Sequence, residues 1–195
     1  MKFIPKKRLE RAADNLLMEF SQARSSSIDI PVPVEDILEG HFGLSLSFEN
    51  LSALLGRDDV LGATFVDKRE VSIDQTLDPE ENPGTEGRFR FTVAHEIGHW
   101  LLHAPTLRNE GVSHALREKK PKRTDKDPRE WQADYFAACL LMPKALLLTQ
   151  WDEVRAVKKR PIGFDASNEM ARRFQVSEQA MRIRLHDVGL AVSQG

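Results

Sequence analysis

"FTVAHEIGHWLLH", Phe91 to His103, sets three histidines at equal steps of four, with a glutamate after the first and a glycine inside. The spacing predicts a helix, because residues four apart share a face with Cβ atoms roughly 6 Å apart. On that face His95 and His99 can both reach a single zinc ion at ~2.0–2.1 Å. Glu96 lies one step round the helix, where it can face a water beside the ion without binding the ion. That makes it the candidate general base of an H-E-x-x-H site. His103 is eight residues from His95, about 12 Å along the axis, so one ion cannot bridge them. A packing or hydrogen-bonding role at the helix end is expected for it, where a cationic imidazole also suits the dipole. Gly98 costs about 1 kcal/mol against alanine in a helix interior, so it marks close approach by another element. That element either completes a site or merely packs.

The third ligand has to come from elsewhere, and "DPREWQADYFAACLLM" (127–142) offers one. Asp127 reads as an N-cap with Pro128 at the first helical position. The helix then puts Glu130, Ala133, Asp134 and Ala137 on one face. Two carboxylates flanked by alanines suit a face pressed against a metal-bearing helix. In that reading Glu130 is a ligand and Asp134 accepts the free N–H of a ligand histidine. A second reading has Glu130 close a capping box with Asp127, three residues back, but a box leaves Asp134 unexplained. Two histidines and a glutamate leave a fourth position open, the pattern of catalytic rather than structural zinc. Cys139, in the apolar run "YFAACLLM", reads as a small core residue, and Tyr135 also as core.

Farther out, the chain is ordinary. Its 195 residues, 41% hydrophobic and 30% charged, fit one domain with a small appendage. The expected division is a domain carrying the H-E-x-x-H helix over 1–157 and a helix-turn-helix-like tail over 158–195. A net charge of −2 excludes a global basic field for nucleic acid or anionic membrane. The single cysteine excludes an internal disulfide framework and fits a reducing compartment. No apolar stretch approaches the ~20 residues that span a bilayer, and the N-terminus lacks a signal-peptide core. A cytoplasmic protein without a membrane partner is the expectation.

Helical periodicity runs over 7–24, and Pro33 to Leu38 reads as a second short helix. "LSLSF" (44–48), "VLGATFV" (60–66) and "EVSIDQ" (70–75) read as strands, the last two joined by a tight turn. The charged connection Ala104 to Asp127 reads as an irregular, mobile loop. Two helices follow Asp127, and two short ones finish the chain. The fold class is α+β: a small mixed or antiparallel sheet packed on the H-E-x-x-H helix, with a helical extension.

"RFRFTVAHEIGHWLLH" and "EWQADYFAACLLMP" some thirty residues later, with "GATFVDKREVSID" upstream, resemble the ImmA/IrrE family of bacterial zinc peptidases. The likeness covers about 30–143. It implies a minimal gluzincin-like fold, with His95, His99 and Glu130 holding Zn2+ and Glu96 as base. It also implies a regulatory substrate, typically a helix-turn-helix (XRE-type) repressor of a mobile element or stress regulon. Some members carry a large C-terminal sensory domain, for which this chain is too short. His114 takes no role from the resemblance and reads as a solvated loop residue.

In the tail, "NEMARRFQVSEQAMRIRL" fits helix-turn-helix spacing, with Ser177 as cap and Gln175 where a turn glycine is usual. Gln179, Arg182 and His186 are the candidate contacts to a partner repressor or to DNA; packing on the core is the alternative. An extended substrate is expected to add to a sheet edge near Val71, Ser72, Ile73 and Asp74. Three functions therefore compete: a site-specific zinc endopeptidase, a non-proteolytic partner-binding or antitoxin-like module, and a DNA-binding regulator. A base beside an open three-ligand site favours the first.

Overall fold

The computed structural model describes residues 3–56, 59–105, 115–119, 127–156 and 165–190. The chain begins with α1 (Lys6–Arg24), α2 (Val34–Asp36) and a π-helical turn (Ile37–His41), then β1 (Ser45–Glu49) and α3 (Leu51–Leu55). A hairpin follows, β2 (Val60–Phe65) and β3 (Glu70–Asp74), then α4 (Glu86–Leu102) and β4 (Ala115–Lys119). Four helices end it: α5 (Pro128–Leu141), α6 (Lys144–Ala156), α7 (Ala166–Phe174) and α8 (Glu178–Asp187). This is an α+β fold, as the order of sequence patterns predicts.

The sheet runs β1-β3-β2-β4, with β1 parallel to β3 and β2 antiparallel to both its neighbours. Two expectations change here. β3 pairs with β1 along Glu70–Asp74 on one side and with β2 on the other, so Val71, Ser72, Ile73 and Asp74 present no edge. A substrate strand cannot add there, because the ladder hydrogen bonds on both sides are already made. Asp74 is also occupied, accepting from the Leu51 and Thr76 backbone N–H groups at 3.2 Å each. Second, the charged connection after Ala104 is not wholly irregular: 115–119 form β4 along β2. Residues 106–114, His114 included, and 120–126 lie outside the described residues.

α4 is the centre of the molecule. One side packs on β2, β3 and β4, the other on α5. Phe89, Arg90, Thr92 to Trp100 are accordingly all buried. A helix enclosed on all sides needs no single apolar stripe, which is how it accommodates three histidines and a glutamate. α1 turns Leu9, Ala13, Leu16, Leu17 and Phe20 inward, packs along α5, and leaves Lys7, Arg8, Arg11 and Asp14 exposed.

One hydrophobic core runs from Ala13 through Ile73, Ile97 and Phe136 to Met170, Phe174, Met181 and Leu185, so α7 and α8 share it with the rest. Arg184 of α8 is buried and donates to the Met142 carbonyl at 3.1 Å and to Glu10 at 2.9 Å. A buried guanidinium is tolerable only with such partners, and here it ties α8 to α1 and the end of α5. The boundary at 157/158 falls outside the described residues. Among those described, no helix is long and apolar enough to cross a membrane.

Candidate metal centre

Gly98 lets α4 and α5 come together. A Cβ there would meet Phe136 Cδ1 at 3.1 Å and the Ala133 Cα at 3.2 Å, so the two backbones nearly touch. Close approach at that point lets a side chain one turn earlier on α5 reach the histidines. That side chain is Glu130. Its Oε2 lies 3.6 Å from His95 Nε2, and its Oε1 lies 3.4 Å from His99 Nε2. The two Nε2 atoms are 2.9 Å apart. Donors bound tetrahedrally at ~2.0–2.1 Å sit about 3.3–3.4 Å from one another. The carboxylate distances match that spacing to a few tenths of an ångström, and the imidazole pair needs a small opening. His95, His99 and Glu130 form the metal-competent cluster among the described residues.

Glu130 does not close a capping box. Asp127 caps α5 by accepting from the Arg129 N–H at 2.9 Å, while the Glu130 carboxylate turns to the histidines. The Arg129 guanidinium also holds the Asp127 carboxyl below its ordinary range.

The far ring nitrogens are also engaged. His95 Nδ1 donates to Asp134 Oδ1 at 2.9 Å, which leaves the Nε2 lone pair facing the cluster. Asp134 therefore sits where the carboxylate face of α5 predicts. His99 Nδ1 lies 2.9 Å from His103 Nδ1, and His103 Nε2 lies 3.1 Å from Gln132 Oε1. His103 is thus outside the cluster, in hydrogen-bonding contact with one of its members.

Electrostatics favour the ligating forms of His99 and Glu130. Burial pulls His99 down to about 4, with the Glu130 contact opposing and the His95 field adding to the depression. Burial likewise lowers His103, against the pull of its Gln132 bond. Burial by itself raises Glu130, but its contacts with the His95 and His99 rings outweigh it and bring the carboxyl down to about 2. Neutral imidazole beside ionised carboxylate is the donor set a divalent ion requires.

Glu96 is fully buried next to this cluster but is not part of it. The Thr64 hydroxyl of β2 donates to its Oε2 at 2.5 Å. Two residues earlier on β2, a Cβ at Gly62 would come within 2.8 Å of Glu96 Oε1 and 2.7 Å of Thr92 Cγ2. β2 therefore passes against α4 at the glutamate and cradles it. Sequence reasoning did not single out Gly62 or Thr64; the available signal was a glycine inside the strand "VLGATFV", which marks close backbone approach. Imidazoles at 0–1% exposure form the floor, while Glu130 and Asp134 side chains, 24% and 56% exposed, form a rim open to solvent.

The tail residues lie elsewhere. Gln179, Arg182 and His186 are exposed on α8. Arg182 is spent internally, donating to Asp165 at 2.7 Å and Ser167 at 3.2 Å.

The IrrE N-terminal-like domain of the Peptidase_M78 family matches residues 81–186, more than half of the chain, and takes in both ligand helices. The chain belongs to this family. Within M78 it is thus a metallopeptidase-like protein whose histidine–glutamate cluster can hold an ion. Among solved structures it is similar to a Mycobacterium tuberculosis transcriptional regulator, with a TM-score of 0.56 at 16% identity. The match covers 91% of this chain and 46% of that one, so the chain spans about half the length of the solved protein. At that identity the likeness is one of fold. No curated protein matches the sequence.

Proposed function

We propose that this M78 protein is a zinc-dependent endopeptidase that cleaves a cytoplasmic regulatory protein, a helix-turn-helix repressor of a mobile element or stress response. The observation that supports this reading best is the division of labour between buried groups. Three donors converge, while a fourth group, Glu96, stands beside them held by a strand hydroxyl.

His95, His99 and Glu130 would hold the ion. When bound, zinc supplies Lewis-acid polarisation of a peptide carbonyl and lowers the pKa of water toward ~7. Glu96 receives the proton of the attacking water and passes it to the leaving amine. Thr64 orients the Glu96 carboxylate by donating to its Oε2. With β3 enclosed, an extended substrate has the outer edge of β4, the edge strand that packs on α4.

The test is cleavage of a helix-turn-helix repressor encoded beside the gene, compared in cells carrying wild type, Glu96→Gln and Glu130→Ala. Wild type alone is expected to cleave. Full action by Glu96→Gln sinks the proteolytic reading in favour of a partner-binding, antitoxin-like module. The DNA-binding reading has less support, because Arg182 is paired within the tail. Salt-sensitive retardation of DNA, lost when Gln179 and His186 are replaced by alanine, would reinstate it.

A further inference from the structure

We infer that Gln132 sets the metal-binding tautomer of His99 through His103, making His103 and Gln132 positioning residues of the centre. The inference rests on the metal-centre reading and deepens it.

The two contacts involved are nitrogen to nitrogen and nitrogen to oxygen, 2.9 Å and 3.1 Å, and all three side chains are fully buried. No water is needed to complete the chain, and each link needs one donor and one acceptor. A neutral imidazole carries one proton, so a choice made at one end propagates to the other. Gln132 presents its carbonyl oxygen to His103, and a carbonyl oxygen only accepts. His103 must then carry its proton on Nε2 and keep a lone pair on Nδ1. His99 must in turn donate from Nδ1, which leaves its Nε2 lone pair facing His95 and Glu130. The opposite polarity, with an amide N–H donating to His103, would move the His99 proton onto Nε2 and block the ligand.

The Gln132 amide nitrogen finds no partner among the described residues, so the His103 bond is the contact that holds its orientation. The two ligands are therefore oriented differently. His95 uses a half-exposed carboxylate, Asp134, in one step. His99 lies deeper and uses a neutral two-step relay.

The experiment uses the full-length chain with Zn2+ and a chromophoric chelator as competitor, comparing wild type, Gln132→Met, Gln132→Glu and His95→Ala. Methionine keeps the length and removes the acceptor; glutamate restores an acceptor that cannot donate when ionised. Gln132→Met is expected to weaken zinc binding by about 10–100-fold, the usual cost of losing a partner of a ligand histidine. Gln132→Glu is expected to bind at least as tightly as wild type, and His95→Ala not at all. Metal-free melting temperatures separate a packing defect from a tautomer effect. Long-range 15N–1H NMR of the zinc-bound wild type, at fixed pH, should show His99 protonated on Nδ1 and His103 on Nε2.

Wild-type affinity in Gln132→Met, or a His103 proton on Nδ1 in the NMR spectrum, overturns the inference. The NMR result decides even if a variant fails to fold. Absence of zinc binding by wild type overturns the metal-centre reading and this inference together. Wild-type binding with no response to Gln132 overturns the inference alone.

Discussion

Replacing Gly98 with alanine tests whether the contact between α4 and α5 shapes the metal centre. The new Cβ would sit 3.1 Å from Phe136 Cδ1, 3.2 Å from Ala133 Cα and 3.4 Å from Ala133 O. Carbon atoms in good contact lie about 3.5–4.0 Å apart, so the helices must part by roughly 0.5 Å. Two of the three obstructing atoms are backbone, and the third belongs to a fully buried ring, so neither side gives easily. Alanine gains about 1 kcal/mol of helix propensity. Overpacking of a filled core costs about 1–3 kcal/mol. The expected net is a loss of up to about 2 kcal/mol, and for a chain of this size each 1 kcal/mol lowers the melting temperature by roughly 2–4 °C. Parting the helices also carries Glu130 away from donors now 3.4–3.6 Å off, so zinc affinity falls as well. Gly40 is the control: a Cβ there meets nothing within 4 Å, and alanine should stabilise by about 0.4–1 kcal/mol. Calorimetry and chelator competition on both variants give the comparison. A Gly98→Ala protein that melts higher, as the Gly40→Ala protein should, and binds zinc like wild type would refute the reasoning.

Other perturbations separate the parts of the centre. Gly62→Ala presses a methyl group on Glu96 Oε1 and Thr92 Cγ2, so peptide hydrolysis should drop while zinc affinity holds; a parallel loss of zinc affinity would argue against a role confined to the base. Asp134→Ala removes the His95 acceptor from a half-exposed site, and chelator competition should show affinity down by about 10–100-fold with the metal-free melting temperature nearly unchanged. Burial pushes the Cys139 thiol from its ordinary value near 9 up to about 12. Between those values the unfolded chain has released the proton and the folded one has not, so this group's contribution to stability falls as pH rises through that window. Urea unfolding across the range should show the decline in wild type and a shallower one in Cys139→Ala.

How much of this was legible in the sequence follows from the range of each interaction. The His95, Glu96, His99 set is local, fixed by the turn of one helix. Glu130 and Asp134 were found because carboxylates between alanines contradict an ordinary core stripe, and the cap at Asp127–Pro128 fixed the phase of that helix. What escaped was set by pairing across the chain. β3 reads as a strand, but nothing in Val71–Asp74 reveals that β1 will close its far side in parallel, so its expected free edge was not there. β4 hides in a charged segment because edge strands tolerate charge and show no clean alternation. Gln132 carries no periodic or motif signal, since its partner His103 is twenty-nine residues away and meets it only when the helices pack. Thr64 meets Glu96 across thirty-two residues in the same way.

The claim on which all else depends is that His95, His99 and Glu130 hold one ion while Glu96 does not. Anomalous diffraction at the zinc edge, from crystals of the full-length chain grown with zinc, addresses it directly. A single strong peak per chain is expected, bonded to His95 Nε2, His99 Nε2 and a Glu130 oxygen at ~2.0–2.2 Å, with Glu96 beyond bonding distance. No peak between α4 and α5, or a peak that takes Glu96 in place of Glu130, would contradict the account.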